Sequence, residues 1–372
     1  FFLKLSAFQE PLLAWLRSRE GWRKHVLNFS IGFVEEGLHD RAITRDLTWG
    51  IPVPLKDPEA AGKVLYVWFD APIGYISNTK QMLDTEGGQL ADWWASKDTD
   101  VFHFIGEDNT IFHCVIWIAM LAAEGSYRLP KGVIVNQFLN IQFPDQAEAE
   151  KISKSRGRAV WIDEFVSEGG DPDVLRYYLT SIAPERARTV YSPDDLINKN
   201  NTDLGNTLGN FVNRILSFTQ KYVGLMVPEP PAHKMIETDH KFLARMAEVH
   251  RSATNELDSF SPKNALGHLM DFARECNKYV DDKAPWKTRK DDMETTAVTL
   301  HHAIQAIKFL SVALQPFMPR MGDKMAKTLA LSAEERRWEH ALDVFLPGRP
   351  FLQPEILFTK IENAPAATTP NG

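Results

Sequence analysis

Val101-Phe102-His103-Phe104-Ile105-Gly106-Glu107-Asp108-Asn109 passes from β-formers through a glycine turn into three-four apolar spacing from about Thr110 to Ala123. A strand that hands over to a helix through glycine is a ligand-binding unit of α/β folds. The helix start offers free backbone amides, and the glycine lets the chain approach a nucleotide closely. Asp108 suits a carboxylate that accepts from ribose hydroxyls, although as an N-cap it would need no such role. Asn109, His113 and Trp117 recur every four residues and share a helix face. They point to a substrate pocket, against the base case that a lone histidine on an apolar face is a satisfied core group.

Working outward, Val133 to Ile141 reads as another buried strand, and Val64-Leu65-Tyr66-Val67-Trp68-Phe69-Asp70 as one buried on both faces of a parallel sheet. Ala71-Pro72-Ile73-Gly74-Tyr75 follows where a strand end opens onto a crevice, so Trp68 and Tyr75 are candidate walls for an apolar side chain, unless both are core aromatics. Upstream, residues 8 to 37 give two packing helices and Arg41 to Pro54 a charged loop. Downstream, an acidic hairpin or linker from Pro144 to Glu150 precedes Lys151-Ile152-Ser153-Lys154-Ser155-Arg156-Gly157. Two lysines three residues apart among small polar residues suit charge developing on a leaving pyrophosphate; a plain exposed Lys/Ser loop is the alternative. Helical patterns follow at Trp161 to Val166 and after Asp171-Pro172-Asp173. From Asp203 onward β signals nearly vanish. Five stretches (203 to 225, 239 to 258, 262 to 284, 293 to 315 and 318 to 330) read as an antiparallel helical bundle, and the tail from Ala364 as disordered.

The chain of 372 residues is long enough for more than one core. Its net charge of -7 argues against bulk electrostatic binding of nucleic acid, so such a partner must meet local basic patches. No uninterrupted apolar run approaches membrane-spanning length, which excludes a helical membrane anchor within these residues. Cys114 and Cys276 lie far apart in helical patterns, so neither a disulfide framework nor a thiolate metal site is expected, and a reducing, cytoplasmic setting fits. The opening Phe1-Phe2-Leu3-Lys4-Leu5 has neither an initiator Met nor a signal-peptide pattern and reads like the inside of a fold, from which a missing upstream part is expected.

Taken together, these motifs carry a family resemblance. Lys151 to Gly157 resembles the KMSKS signature of class I aminoacyl-tRNA synthetases, with Ile152 in the Met place. Trp68 to Tyr75 resembles the amino-acid pocket segment of the methionyl-tRNA synthetases. Phe104 to Asp108 with Phe112-His113 and Trp117 is similar to their nucleotide turn and pocket helix, and Lys283-Ala284-Pro285-Trp286-Lys287 to their anticodon-reading segment. The resemblance implies the second half of a Rossmann-like catalytic domain (1–150), a KMSKS loop and connecting region (151–200), a helical anticodon-binding domain (201–350) and a C-terminal extension (351–372). It implies condensation of L-methionine with ATP, as its Mg2+ complex, to methionyl adenylate, and transfer of methionine to tRNA(Met). Trp68, Ala71, Pro72, Tyr75, His113 and Trp117 would line the methionine pocket, with Asn109 where some relatives carry Ile. Gly106 and Asp108 would hold adenosine, Leu139 at the Asn136 to Leu139 strand end would meet adenine, and Lys151 and Lys154 would be the catalytic lysines steadying the triphosphate. Asn210 and Arg214, one turn apart, would join Pro285 and Trp286 at the anticodon, with Lys283, Lys287, Arg289 and Lys290 as a phosphate-facing patch; spacing alone makes Asn210 and Arg214 a solvated surface.

One departure stands out: no His-x-Gly-His segment occurs in the chain, although in the family it binds the triphosphate opposite the lysine loop. The zinc-knuckle cysteines of many relatives are absent too. The expectation is a downstream portion of such an enzyme, inactive alone. The competing readings are a class I synthetase for leucine, isoleucine or valine, and a non-catalytic tRNA-binding module. Oligomeric state is not legible.

Overall fold

The computed structural model describes residues 1–142, 148–152 and 159–362. Contacts divide the chain into two compact units, Phe1–Phe138 and Leu139–Gly372. Each is taken by itself.

In the first unit, β1 (Phe2–Leu3) pairs antiparallel with β2 (Arg41–Ala42), and β3 (Thr44–Arg45) with β4 (Val64–Leu65). Between β1 and β2 run α1 (Gln9–Arg17) and α2 (Lys24–Glu35), whose Leu12, Leu16 and Val34 form a core with Val115 and Ile118. Beyond β4 come α3 (Val67–Asp70), α4 (Ile73–Glu86) and α5 (Leu90–Trp94). Then β5 (Phe102–Gly106) pairs parallel with β6 (Gly132–Asn136), in register from Phe102 opposite Gly132 to Gly106 opposite Asn136. A crossover joins them: a 3-10 turn at Glu107–Asn109, a π turn at Phe112–Ile116 and α6 (Trp117–Glu124), closed by Gly125 in the left-handed conformation. Such a crossover is the βα unit expected at Gly106.

Three expectations are corrected here. The run Val64–Asp70 is not a doubly buried strand. After two strand residues the chain closes on itself, with Phe69 and Ala71 N–H donating to Tyr66 and Val67 carbonyls at 2.7 and 2.9 Å, and Val67 and Trp68 half exposed. A short apolar run fits a helical turn as readily as a strand, and here the backbone bonds are local. The run Val133 to Ile141 is two strands: β6 ends at Asn136, beside which Arg23 donates to the Val135 carbonyl at 2.6 Å and to the Asn136 side chain at 2.9 Å, and a new strand begins at Leu139 in another sheet. The segment from Thr110 to Ala123 is not one regular α-helix, since the π turn adds a residue before α6.

In the second unit, β7 (Leu139–Ile141) lies between β8 (Glu150–Lys151), antiparallel, and β9 (Thr189–Tyr191), parallel. Lys151 is thus a strand residue opposite Asn140 rather than a loop residue. Helices α7 (Ile162–Ser167), α8 (Pro172–Ser181) and α9 (Pro193–Lys199) lead into a π-helical stretch, Asn200–Gly209, that continues as α10 (Asn210–Tyr222). The bundle adds α11 (Glu237–Asp258), α12 (Pro262–Lys283), α13 (Pro285–Asp291), α14 (Met293–Ala313) and α15 (Pro319–Thr328). Sequence dictates these starts. Proline, which has no N–H to lose, opens α8, α9, α12, α13 and α15, and Asp171, Ser192 and Asp292 cap their helices through side-chain oxygens.

The bundle core is built around α14, buried on nearly all sides, with Phe309 edge-on to Phe272 at 5.6 Å. A helix wrapped by others shows no polar stripe. Its one buried ammonium, Lys308, donates to the carbonyls of His340, Ala341 and Asp343, which ties the segment after α15 to the bundle.

Candidate active site and RNA-facing surface

Tyr75 on α4 stands over the crossover helix. Its ring centroid is 5.8 Å from His113 and 6.3 Å from Trp117, and 5.0 Å from His103 on β5. Proton positions follow from the partners. The Asn109 carbonyl can only accept, so His113 Nδ1 donates to it across 3.1 Å. Burial holds His113 below its ordinary value and therefore neutral, so Nε2 is an acceptor and the Tyr75 hydroxyl donates to it at 2.8 Å. The Trp117 indole N–H donates to His103 Nε2 at 3.1 Å, leaving the His103 proton on Nδ1. Burial, helped by His113, pushes His103 down to about 4. The donors of Tyr75 and Trp117 are thus consumed within the cluster, and the rings form an apolar, polarizable wall.

This neutrality makes a pH prediction. The folded values lie below the ordinary histidine value of 6.5, so the unfolded chain takes up protons that the native cluster refuses. The stability contribution is complete above pH 6.5 and is lost as pH falls toward about 4. Urea midpoints measured from pH 7.5 to pH 5 should fall, with a flatter slope in His103→Gln.

A second concavity of about 880 Å3 adjoins this cluster, lined by Leu38, Trp68, Phe69, Asp108, Asn109 and Phe112 among others. Trp68 meets Phe112 edge-on at 5.7 Å. Here the expected helix face divides. His113 and Trp117 converge under Tyr75, whereas the Asn109 amide turns to Asp108 Oδ1 at 3.3 Å and both line the cleft. Gly106 matters locally: a Cβ there would come within 2.9 Å of Asp108 Oδ1, so only glycine leaves that carboxylate undisturbed. Pro72 is buried at the start of α4, and Ala71 is exposed at the α3 end. His103 was missed as a site residue. Its signal was a polar residue alternating with Phe102 and Phe104, which places it on the opposite face of β5.

In the second unit, Leu139 and Lys151 belong to one three-stranded sheet. Lys154 lies outside the described residues. In the bundle, Asn210 is exposed on α10, and the Arg214 guanidinium sits 5.8 Å from the partly exposed Trp286 ring centroid. Arg214 also donates to Asp281 at 2.8 Å. Pro285 is buried and starts α13, so Trp286 projects from the first turn. Arg289 lies over Tyr222 at 4.3 Å, while Lys287 and Lys290 are exposed. Lys283 departs from the expected phosphate-facing patch. It is 8% exposed and paired with buried Asp239, because the last turn of α12 faces α11. The arrangement sets a cation beside a partly exposed indole.

Comparison with known proteins finds family models that match both halves of the chain. Residues 1–216 match the family model described as tRNA synthetases class I (M), and residues 227–369 that of the anticodon binding domain of methionyl tRNA ligase. Methionine--tRNA ligase of Thermococcus onnurineus is 40% identical over 97% of this chain and 49% of its own length. That of Phocaeicola vulgatus is 40% identical over 98% of this chain and 52% of its own. The chain therefore spans about half the length of the curated relatives it matches. A crystal structure of Mycobacterium tuberculosis methionyl-tRNA synthetase bound by methionyl-adenylate superposes with a TM-score of 0.85 at 26% identity, covering 96% of this chain and 68% of that one. The chain belongs to the class I tRNA synthetases of the methionine type.

Proposed function

We propose that these residues supply the methionine pocket, part of the ATP site and the anticodon-reading face of a methionine--tRNA ligase. The reaction joins L-methionine to ATP, taken as its Mg2+ complex, with release of pyrophosphate, and the terminal ribose hydroxyl of tRNA(Met) then takes methionine from the adenylate, releasing AMP. The observation that carries this reading is the closed set of hydrogen bonds from Tyr75 to His113 and from Trp117 to His103. With those donors spent, Trp68, Ala71, Pro72, Tyr75, His113 and Trp117 offer a thioether soft contacts and sulfur-aromatic packing, and Asn109 borders the pocket. Gly106 and Asp108 take the ribose, Leu139 the adenine, and Lys151 with Lys154 balances charge on the departing pyrophosphate. Residues 1–150 form the catalytic part, 151–200 the lysine loop and connection, 201–350 the anticodon-binding part and 351–372 an extension.

Calorimetric titration of the chain with L-methionine tests the pocket. Tyr75→Ala should weaken binding by about tenfold or more, removing one aromatic wall and the His113 donor. Unchanged affinity would count against the assignment. In the same preparation, methionine-dependent ATP-pyrophosphate exchange should be absent, because the chain carries no His-x-Gly-His segment to hold the triphosphate.

A further inference from the structure

Lys283 ends α12 inside the bundle. Its ammonium donates to Asp239 Oδ2 at 2.9 Å, and the Asp239 side chain is fully buried. Two further donors complete that carboxylate: the Tyr279 hydroxyl at 2.8 Å on Oδ1, and the Ile236 N–H at 2.9 Å on Oδ2. The Tyr279 ring is stacked on Phe242 with centroids 4.0 Å apart, so the network is clamped between α11 and α12. Burial alone would push the Asp239 carboxyl up, but the bonds from Lys283, Ile236 and Tyr279 hold it below its ordinary value. A buried ion pair of this kind gains little over apolar packing of the same volume, so its use lies in geometry more than in stability.

The residue after Lys283 supplies that geometry. Ala284 has φ 44° and ψ 59°, left-handed backbone that a residue with a Cβ adopts at a cost of about 1–2 kcal/mol. Such a conformation persists only where both flanks fix it. Lys283 fixes the upstream flank through Asp239. Downstream, α13 is held by Thr288 against Thr296, hydroxyl to hydroxyl at 2.7 Å, and by Asp292, which takes Lys234 at 2.8 Å and the Thr295 N–H at 3.0 Å. Trp286 is two residues beyond Ala284, and its direction toward Arg214 is set by this turn.

We propose that Asp239 and Lys283 are positioning residues for RNA recognition: their buried pair sets the left-handed turn at Ala284 and so aims Trp286 at a base beside Arg214. This rests on reading that face as anticodon-binding. The test uses the whole chain, an RNA stem-loop with a CAU anticodon, fluorescence anisotropy at fixed salt, and the Trp286 indole N–H resonance, identified by its loss in Trp286→Phe. The double variant Asp239→Asn/Lys283→Gln should raise the Kd about tenfold and shift that resonance. Ala284→Gly, which relaxes the turn without burying a charge, should leave the thermal midpoint unchanged or higher yet raise the Kd about threefold. A purely structural network predicts the same stability for Ala284→Gly but no loss of affinity. If Trp286→Ala weakens binding while Ala284→Gly and the double variant do not, the positioning role is overturned and the anticodon reading stands. If Trp286→Ala itself has no effect, both fall. Should the double variant fail to fold, Ala284→Gly decides alone.

Discussion

Trp117→Ala is expected to cost about 3–5 kcal/mol of stability and to reduce methionine affinity with it. The indole is 1% exposed and packs with Trp94 and Leu121, so truncation leaves a cavity the size of two rings in a small core cluster. It also strips His103 Nε2 of its donor, leaving a buried acceptor unmet, a further cost of about 1–3 kcal/mol if nothing replaces it. Trp117→Phe separates the two effects in part, since it keeps one ring and leaves a smaller cavity while losing the same indole N–H; about 1–3 kcal/mol is expected. Urea unfolding of both variants, followed by methionine titration, reads them. Because Tyr75 rests 6.3 Å from the Trp117 ring, the alanine variant should lose ligand affinity even where it remains folded. Equal stability of the alanine and phenylalanine variants would show that the ring is not part of the core.

Trp286→Ala should do the opposite, leaving stability within about 0.5 kcal/mol and weakening RNA binding by about 5- to 150-fold. The fold does not depend on this ring: it is 37% exposed, on a seven-residue helix, with Arg214 5.8 Å from its centroid. Base stacking on an aromatic is worth about 1–3 kcal/mol per base, and most of that is lost with the ring. Arg214→Ala is the companion measurement. Its guanidinium is already paired with Asp281, so the loss should be smaller than that of Trp286 and accompanied by a shallower salt dependence. Affinity for the stem-loop that survives Trp286→Ala intact would remove the anticodon reading.

The helical half of the chain was legible because its signals are local and redundant. The expected stretch 262 to 284 is α12, and 293 to 315 is α14 within two residues, since three-four spacing agrees with an N1 proline at α12 and with the Asp292 side-chain cap at α14. The strand at Val101 to Ile105 and its glycine turn were legible for the same reason. Elsewhere one signal stood alone. Val133 to Ile141 has the composition of a single strand, yet its two halves pair with different partners, Val133 to Asn136 with β5 and Leu139 to Ile141 with β8 and β9. Val64 to Asp70 is apolar enough for a buried strand, and only local backbone bonding turns it into α3.

The candidate site shows the same division. The family resemblance named Tyr75, His113 and Trp117 as pocket residues, whereas residue type and spacing alone left them open as core groups. The partner His103 and the tautomers of both imidazoles came only from three-dimensional contacts. Lys283 is the sharpest case. Among Lys287, Arg289 and Lys290 it looked like one more solvated cation, but the last turn of α12 points it at Asp239, 44 positions earlier in the chain. Sequence by itself determined the class of fold, the order of the motifs and the positions of the long bundle helices to within a few residues, since these follow from side-chain periodicity within a few turns; the short α13 and the π-helical stretch before α10 were not legible. Tertiary structure decided which charges are buried, which protons are fixed and how Trp286 is aimed, because burial and hydrogen-bond partnership depend on residues that only folding brings together.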